Sequence, residues 1–387
     1  MRVEEVHFNH DESSASSDGL NLRHDASGQP IHAPEWKFGH TPQPAAYARA
    51  AITMPVTIRA LFAGGPPHGL LQIRAIDAYL PPANPQGCIG WLLNLIASII
   101  HSLVGNVLGD VATKAVHFDA QGDSVLETFE LINHKLTVAA VGARTTEWVW
   151  QRRAMGKRWG SWIEFDRTSH RIYTVLDVPH GPWEQGASTN NIQLPWAAAL
   201  EKACTWAVGA GTTDEAAARI TRAINTRANQ GYTPMTIFGF SPPYQLTSYM
   251  AHLDSGAPFV LNCTDCADAV VTFANLLGCD LWEGRFFDMV TRKFLTLNGD
   301  PSNAASWVSW SWSYHEICWL TSIGINERVY DGCLQLDMDN NYGDNIHVAM
   351  HPMKMRFGQS DPANYRYRLI ESGTGELENI PRRRTVA

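Results

Sequence analysis

Three side chains in the second half of this 387-residue chain could together break an amide: Cys263, His315 and Asp331. Cys263 stands in the run Asn262-Cys263-Thr264-Asp265-Cys266-Ala267, and Gly278 follows it by fifteen residues. Between them Ala267, Val270, Val271, Ala274 and Leu277 recur at helical spacing, which predicts a helix with Cys263 in its first turn. A thiol there feels the positive end of the helix dipole, which favours the thiolate. His315 follows inside a Trp-, Ser- and Tyr-rich run from Trp307 to Trp319, and Asp331 comes sixteen residues later. In such a set the thiolate attacks an acyl carbon and the imidazole moves the proton from thiol to leaving amine. The carboxylate holds the imidazole tautomer. The backbone N–H of Cys263 is placed as an oxyanion donor, and Tyr244, Gln245 and Asn262 are candidates for the second, among which the sequence does not choose.

The elements that must position these groups are helical first and strand-like afterwards. Trp196–Val208 is amphipathic, Thr212-Thr213-Asp214-Glu215 reads as a capping box opening a helix to about Asn225, and a short helix covers about 245–253. After Gly278 the segments 280–287, 293–297, 307–312, 314–320 and 328–336 are strand-like, which gives an α+β domain.

Cys-x-Asp-x-Ala, an apolar helix ending in Leu277-Gly278, a strand bearing His315 and an Asp sixteen residues on resemble the transglutaminase-like branch of the papain-type cysteine enzymes. Counting from Cys263 places Asp265, Ala267 and Gly278 where that pattern has its acid, its small residue and its helix-ending glycine; counting from Cys266 does not. The resemblance spans about residues 195–340, and it departs from the pattern after His315, where Glu316-Ile317-Cys318-Trp319 stands in place of a small residue and an aromatic. It implies thiol-dependent acyl transfer on a peptide or protein amide, with no cofactor. Hydrolysis by a cysteine peptidase, amidase or deamidase is the favoured form, and transglutaminase-type amine transfer the alternative. A catalytically dead binding or assembly module is a further alternative.

Blander readings compete at each residue. Free cysteine is among the most buried residue types, and a lone histidine is more often a hydrogen-bonded core residue than a catalyst. Cys263-x-x-Cys266 and His315-x-x-Cys318 also have ligand-like spacing and could close a structural zinc site of Cys263, Cys266, His315 and Cys318. Against zinc, the first pair opens a long apolar helix rather than a knuckle turn. The Asp337–Asp344 run has a calcium-loop flavour, but its glycine is one place late and its twelfth position is wrong, so an Asp/Asn-rich turn is expected. Trp307, Trp310 and Trp312 line either a groove for an extended peptide or sugar, or an aromatic core.

Composition limits the remaining classes. A net charge of −8 without long basic runs argues against a nucleic-acid partner. Seven scattered cysteines are not a disulfide framework, and the acidic start Met1-Arg2-Val3-Glu4-Glu5 has no apolar signal core, so a cytoplasmic site is expected, export by a signal-independent route staying open. Four regions are expected: a disordered or loosely docked arm at 1–48, a β-sandwich at 49–182, the transglutaminase-like domain at 190–356 and a polar tail at 357–387. The one run of three basic residues, Arg382-Arg383-Arg384, is expected as part of that solvated tail. Within the sandwich, Val56, Ile58, Ala60 and Phe62 share one face, as do Leu71, Ile73 and Ala75, and Lys135–Val141 is a further strand candidate. An uncharged helix at 88–108 interrupts the strands; a buried or interface helix is expected there, with an oligomer contact next and membrane association behind both.

Overall fold

Period-two alternation builds the first unit, which runs from Met1 to Val178 apart from a short segment at 25–28. The computed structural model describes residues 1–10, 17–22, 34–78, 107–155, 161–180, 194–227, 229–239, 243–339, 341, 344, 346–353 and 355–386. Nine strands form this unit: β1 (Arg2–His7), β2 (Trp36–Lys37), β3 (Ala45–Ala48), β4 (Thr57–Ala63), β5 (Leu70–Asp77), β6 (Asp110–His117), β7 (Glu127–Ile132), β8 (Gly142–Ala154) and β9 (Ile163–Val175). Ile58, Ala60 and Phe62 on β4, with Leu71, Ile73 and Ala75 on β5, are buried as their alternation predicts. The strands are hydrogen-bonded in the single order β2-β1-β4-β7-β6-β5-β8-β9-β3, so the expected two-sheet sandwich is one continuous sheet. Its two arms meet where Asp110 and Val111 pair with Ile132 and Leu131. They enclose one core, in which Trp150 meets Phe62 and Phe129 edge-on at 5.3 and 6.2 Å.

Three expectations change here. Arg2–His7 is no loose arm but a strand between β2 and β4, with Val3 and Val6 fully buried. Lys135–Val141 carries a 3-10 turn at Leu136–Val138 instead of a strand. The helix expected at 88–108 lies outside the described residues except for Val107 and Leu108, which are buried in this core. Among the described residues no helix is long and apolar enough to cross a membrane.

The second unit, from Pro179 onward, opens with helices. These are α1 (Leu194–Trp206), α2 (Thr213–Asn225), α3 (Leu246–Ser255) and α4 (Cys263–Asn275), with the short parallel pair β10 (Gln230–Tyr232) and β11 (Phe259–Leu261) among them. Thr212 Oγ1 caps α2 through the Glu215 N–H, while Glu215 reaches back to Gly211 N rather than to the cap residue. The sheets follow with β12 (Leu281–Thr291), β13 (Phe294–Thr296), β14 (Trp307–Val308), β15 (Ser311–Leu320), β16 (Val329–Tyr330), β17 (Leu334–Asp337), β18 (Ala349–Met350) and β19 (Ile370–Leu377). One sheet runs β16-β15-β12-β19 and the other β14-β13-β17-β18. Every residue of α4 is buried, because β15 and β12 pack on it from one side and α1 and α2 from the other.

The segment from 357 onward is no solvated tail. It carries α5 (Tyr365–Leu369) and then β19, which pairs along β12 from Phe286 to Thr291. Beyond β19, Arg382 and Glu283 exchange both backbone hydrogen bonds, and Val386 is buried against Tyr244. The three arginines are bound too: Arg383 lies 3.7 Å from the Trp282 ring centre, and Arg384 enters a buried carboxylate cluster. Apart from Glu378, four residues before Arg382, the acidic partners of Arg382-Arg383-Arg384 are Asp268, Asp280, Glu283 and Glu316, about 65 to 115 residues away along the chain, so sequence alone ranks the run as solvated.

Candidate active site

The start of α4 is fixed by a reciprocal cap. Asn262 Oδ1 accepts from Asp265 N at 3.0 Å, and the Asp265 carboxylate accepts from Asn262 N at 3.2 Å. Asp265 also takes the N–H groups of Ile237, Phe238 and Gly239 at 2.9, 2.7 and 2.8 Å. Its role is therefore to lock the loop before α3 onto the helix start. Cys263 is the first residue of the helix, and at 7 % exposure it is the most open of the described cysteines.

His315 and Asp331 come together as the spacing predicts. His315, on β15, is fully buried, and its Nε2 lies 2.9 Å from Asp331 Oδ2 just beyond β16. The turn carrying Asp331 presses onto α4 at Gly332, where a Cβ would come within 2.9 Å of Val270. Asp331 Oδ1 accepts the N–H of Cys333 at 2.8 Å and of Leu334 at 3.3 Å. Trp312 stacks flat on the His315 ring, 4.7 Å between centres at 15°, and Phe286 meets it edge-on. With Nε2 engaged, the other ring nitrogen, Nδ1, is buried without a hydrogen-bond partner, and the ring interacts with Cys263.

The charges of these groups are coupled. Burial by itself disfavours the imidazolium, but the Asp331 charge and hydrogen bond, with Cys263 adding to them, outweigh it and push His315 up to about 10. Burial raises the Cys263 thiol above its ordinary value, while His315 and the Glu316 N–H pull it back. The expected helix-terminus depression is thus overridden by desolvation, and a thiolate at Cys263 depends on the imidazolium next to it. The other thiols are worse placed. Cys279 is pushed up to about 12 by burial, Cys318 is raised well up by burial, and Cys333 is raised well up by its interaction with Cys266 and by burial.

One residue outside the expected site touches it. Tyr365, on α5, donates its hydroxyl to Asp331 Oδ2 at 2.6 Å and is fully buried. Asp331 Oδ2 therefore serves the ring and the phenol at once. Burial, then the Asp331 charge, keep that phenol protonated and hence a donor. Nothing in the sequence marks Tyr365, because it lies 34 residues beyond Asp331 in a polar stretch. Tyr365→Phe should lower stability by about 1.5–3 kcal/mol, the worth of a hydrogen bond to a buried charge. The remaining Asp331–His315 bond tightens, so the His315 proton should be held to higher pH. Urea denaturation and the pH profile of Cys263 alkylation measure the two effects.

A cleft of about 360 Å³ opens over Cys263, lined by Tyr232, Pro234, Asn262, Trp310, Trp312 and Tyr314 among others. Trp310 and Trp312 thus belong to a groove, whereas Trp307 is buried against His347. Two of the candidate oxyanion side chains are not among the residues that line the cleft. Gln245 Nε2 donates to Pro243 O at 3.0 Å, and Tyr244 is fully buried beside Tyr249, away from the cleft lining. Asn262 does line the cleft, but its oxygen caps α4 and its Nδ2 donates to Thr236 Oγ1 at 2.6 Å. Of the first-turn N–H groups, Asp265 N is taken by Asn262 Oδ1 and Cys266 N by Asn262 O, so the N–H of Cys263 stays the oxyanion candidate at the helix start. Tyr232 is a phenol in the same cleft, upstream of the nucleophile, that sequence reasoning passed over.

The zinc arrangement is not what these residues form. Cys318 Sγ donates to Ala267 O at 3.4 Å, Cys266 is hydrogen-bonded to Cys333, and His315 is bound to Asp331. Among the described residues no group of three or more His, Cys, Asp and Glu is arranged to hold a metal. In the Asp337–Asp344 run the acidic side chains cap their own turns, Asp339 accepting from Asn341 N and Asp344 from Ile346 N.

No protein-family model matches the sequence, and no curated protein sequence does. Among solved structures, red sea bream transglutaminase aligns at a TM-score of 0.35 and 10 % identity, over 85 % of this chain and 60 % of that one. The chain therefore spans about three fifths of the length of that protein, to which it is similar at this distant level.

Proposed function

We propose that the chain is a thiol-dependent acyl-transfer enzyme of transglutaminase-like type acting on amides, with water as the favoured acceptor. One observation supports this reading: His315 is held by Asp331 through Nε2 at 2.9 Å, its Nδ1 is buried without a hydrogen-bond partner, and Cys263 at the start of a helix interacts with the same ring. In the forward step the thiol proton already rests on the His315 imidazolium, and Cys263 Sγ, as the thiolate, bonds to the amide carbon. The oxyanion that forms faces the N–H of Cys263 at the helix start. The imidazolium then protonates the leaving amine, and the C–N bond breaks to leave a thioester. Water, deprotonated by the same ring, attacks the thioester and restores the thiol. The exposed residues Ser311 and Ser313 at the rim leave the cleft open to solvent, which favours water over a scarcer amine.

The test is alkylation by iodoacetamide, mapped cysteine by cysteine with mass spectrometry. Cys263 should react at least about tenfold faster than Cys204, Cys266, Cys279, Cys318 or Cys333, and His315→Ala should remove that excess, since the thiolate depends on the imidazolium. Uniformly slow alkylation, or selectivity that survives His315→Ala, would sink the proposal.

A further inference from the structure

Two buried thiols that the acyl-transfer steps leave idle, Cys266 and Cys333, are hydrogen-bonded to each other. Cys318 and Cys279 instead give their S–H groups to backbone carbonyls, of Ala267 at 3.4 Å and of Thr213 at 3.5 Å. The fold builds the contact: Gly332 lies so close to α4 that a Cβ there would come within 3.6 Å of Cys266 Cβ. Cys333 is the next residue, and its own N–H is held by Asp331 Oδ1 at 2.8 Å. Cys263 completes the cluster. It is the first residue of α4 and Cys266 the fourth. Helical geometry sets their Cα atoms about 5 Å apart, inside the span of about 4.4–6.8 Å that a disulfide bridges. Cys263 also interacts with the Cys333 thiol. It opens on the cleft, whereas Cys266 and Cys333 are each only 1 % exposed. One thiol thus meets small molecules, with a dithiol behind it.

Resting on the reading of Cys263 as a thiolate nucleophile, we propose that these three cysteines consume a hydroperoxide, and that the oxidation begun at Cys263 ends as a disulfide between Cys266 and Cys333. Cys263 Sγ attacks the terminal oxygen of the peroxide, the O–O bond breaks, and His315 gives its proton to the alkoxide or hydroxide that leaves. Cys263 is then a sulfenic acid. Cys266 Sγ attacks that sulfur, and the hydroxide departs with the Cys266 proton as water, forming a Cys263–Cys266 disulfide. Cys333 Sγ next attacks Cys266 Sγ; Cys263 leaves as the thiolate, and the Cys333 proton returns to His315. The peroxide is reduced by two electrons, two thiols are oxidised to a disulfide, and Cys263 is restored. Cys263 is the better leaving group, since His315 pulls its thiol down while contact with Cys266, and then burial, drive that of Cys333 well up. Contact offsets the small thiolate fraction of Cys333, because held reactants need no bimolecular encounter. The nucleophile thereby escapes sulfinic acid, which a thiol reductant does not reverse.

The probe is hydrogen peroxide, equimolar with the full chain, followed by blocking of the remaining thiols and non-reducing peptide mapping by mass spectrometry. A Cys266–Cys333 cross-link should hold most of the oxidised protein, and dithiothreitol should reverse it. Cys263 should keep its iodoacetamide rate within about twofold, since its thiolate is regenerated. Cys263→Ala should slow the cross-link at least about tenfold, because two buried thiols raised above their ordinary values meet peroxide poorly. Cys333→Ala should stop the sequence at Cys263–Cys266 and close Cys263 to iodoacetamide until dithiothreitol is added. Three results overturn the inference while iodoacetamide still selects Cys263: sulfinic acid at Cys263 with no cross-link, a wild-type cross-link that halts at Cys263–Cys266, or a Cys266–Cys333 cross-link that forms as fast in Cys263→Ala. The wild-type readings decide even where Cys333→Ala does not fold. If iodoacetamide shows no selectivity in the untreated chain, the nucleophile reading fails, and this inference falls with it.

Discussion

Arg384→Ala should destabilise the second unit by about 3–5 kcal/mol, because it leaves buried carboxylates without their cation. Arg384 is 12 % exposed, and its Nε lies 3.1 Å from Asp268 and 3.4 Å from Glu283, with Nη2 3.6 Å from Glu316. All three carboxylates are buried. Glu316 has two further cations, Arg285 at 3.1 Å and Arg382 at 3.4 Å, but Arg384 is the cation nearest Asp268 and Glu283. Burial pushes Asp268 well above the usual carboxylate range and Glu283 up to about 7, so the pair holds a proton between them at neutral pH. Removing the guanidinium raises both further. A carboxyl whose folded value is raised binds more protons in the folded state than in the unfolded one, so it costs stability as pH rises. The variant should therefore lose most at pH 8 and recover part of the loss at pH 5. Urea denaturation at the two pH values measures this; a loss below about 1 kcal/mol at pH 8 would mean that water reaches the cluster and screens it. The same arginine also donates to Gly239 O, in the loop that Asp265 locks to the start of α4. Damage to the C-terminal segment should thus disturb Cys263 from the far end of the chain.

Asp331→Asn should cut turnover by about three to four orders of magnitude, with a stability loss of about 1.5–3 kcal/mol because the Tyr365 hydroxyl also loses its charged acceptor. The amide oxygen can still accept from Cys333 N and Leu334 N, as Asp331 Oδ1 does at 2.8 and 3.3 Å. That leaves the amide NH₂ facing His315 Nε2, which must then accept a hydrogen bond. The ring proton moves to Nδ1, the nitrogen that has to take the thiol proton, so the base is blocked. The variant also removes the charge that holds His315 at about 10. A histidine raised in this way contributes stability that is full below its unfolded value of about 6.5 and is lost as pH rises through the folded one. The wild type should therefore lose stability between about pH 6.5 and pH 10, and Asp331→Asn should show little of that slope. Iodoacetamide alkylation of Cys263 reads the same change without a substrate. An undiminished rate in Asp331→Asn would show that Cys263 does not depend on His315 for its charge.

How much of this was legible in the chain differs from residue to residue. The helix at Cys263 was readable because its signals are local: a cap residue, an acid three places on and an apolar repeat of helical period. The alternating faces of β4 and β5 were readable for the same reason, since side-chain direction in a strand has period two. The order Cys263, His315, Asp331 could be proposed from residue types, but 52 and 16 residues separate them, and only the packing of β15 on α4 and of the Gly332 turn on Val270 makes them neighbours. The closure of the first unit into one sheet was not legible, because pairing partners such as β1 and β4 lie some fifty residues apart and alternation says which face is buried, never which strand is adjacent.

Long-range electrostatics was the least legible part. Arg382-Arg383-Arg384 and Tyr365 sit in polar sequence that composition ranks as solvated, yet one supplies the cations for a buried carboxylate cluster and the other a donor to Asp331. Desolvation likewise reversed the local argument for Cys263, since a helix terminus lowers a thiol only while water still reaches it. The sequence by itself determined which segments are helix or strand, which faces are apolar and which residue types could act on an amide. Tertiary structure alone decided which of those residues share a site and what charge each carries, because both depend on contacts and burial that no local pattern encodes.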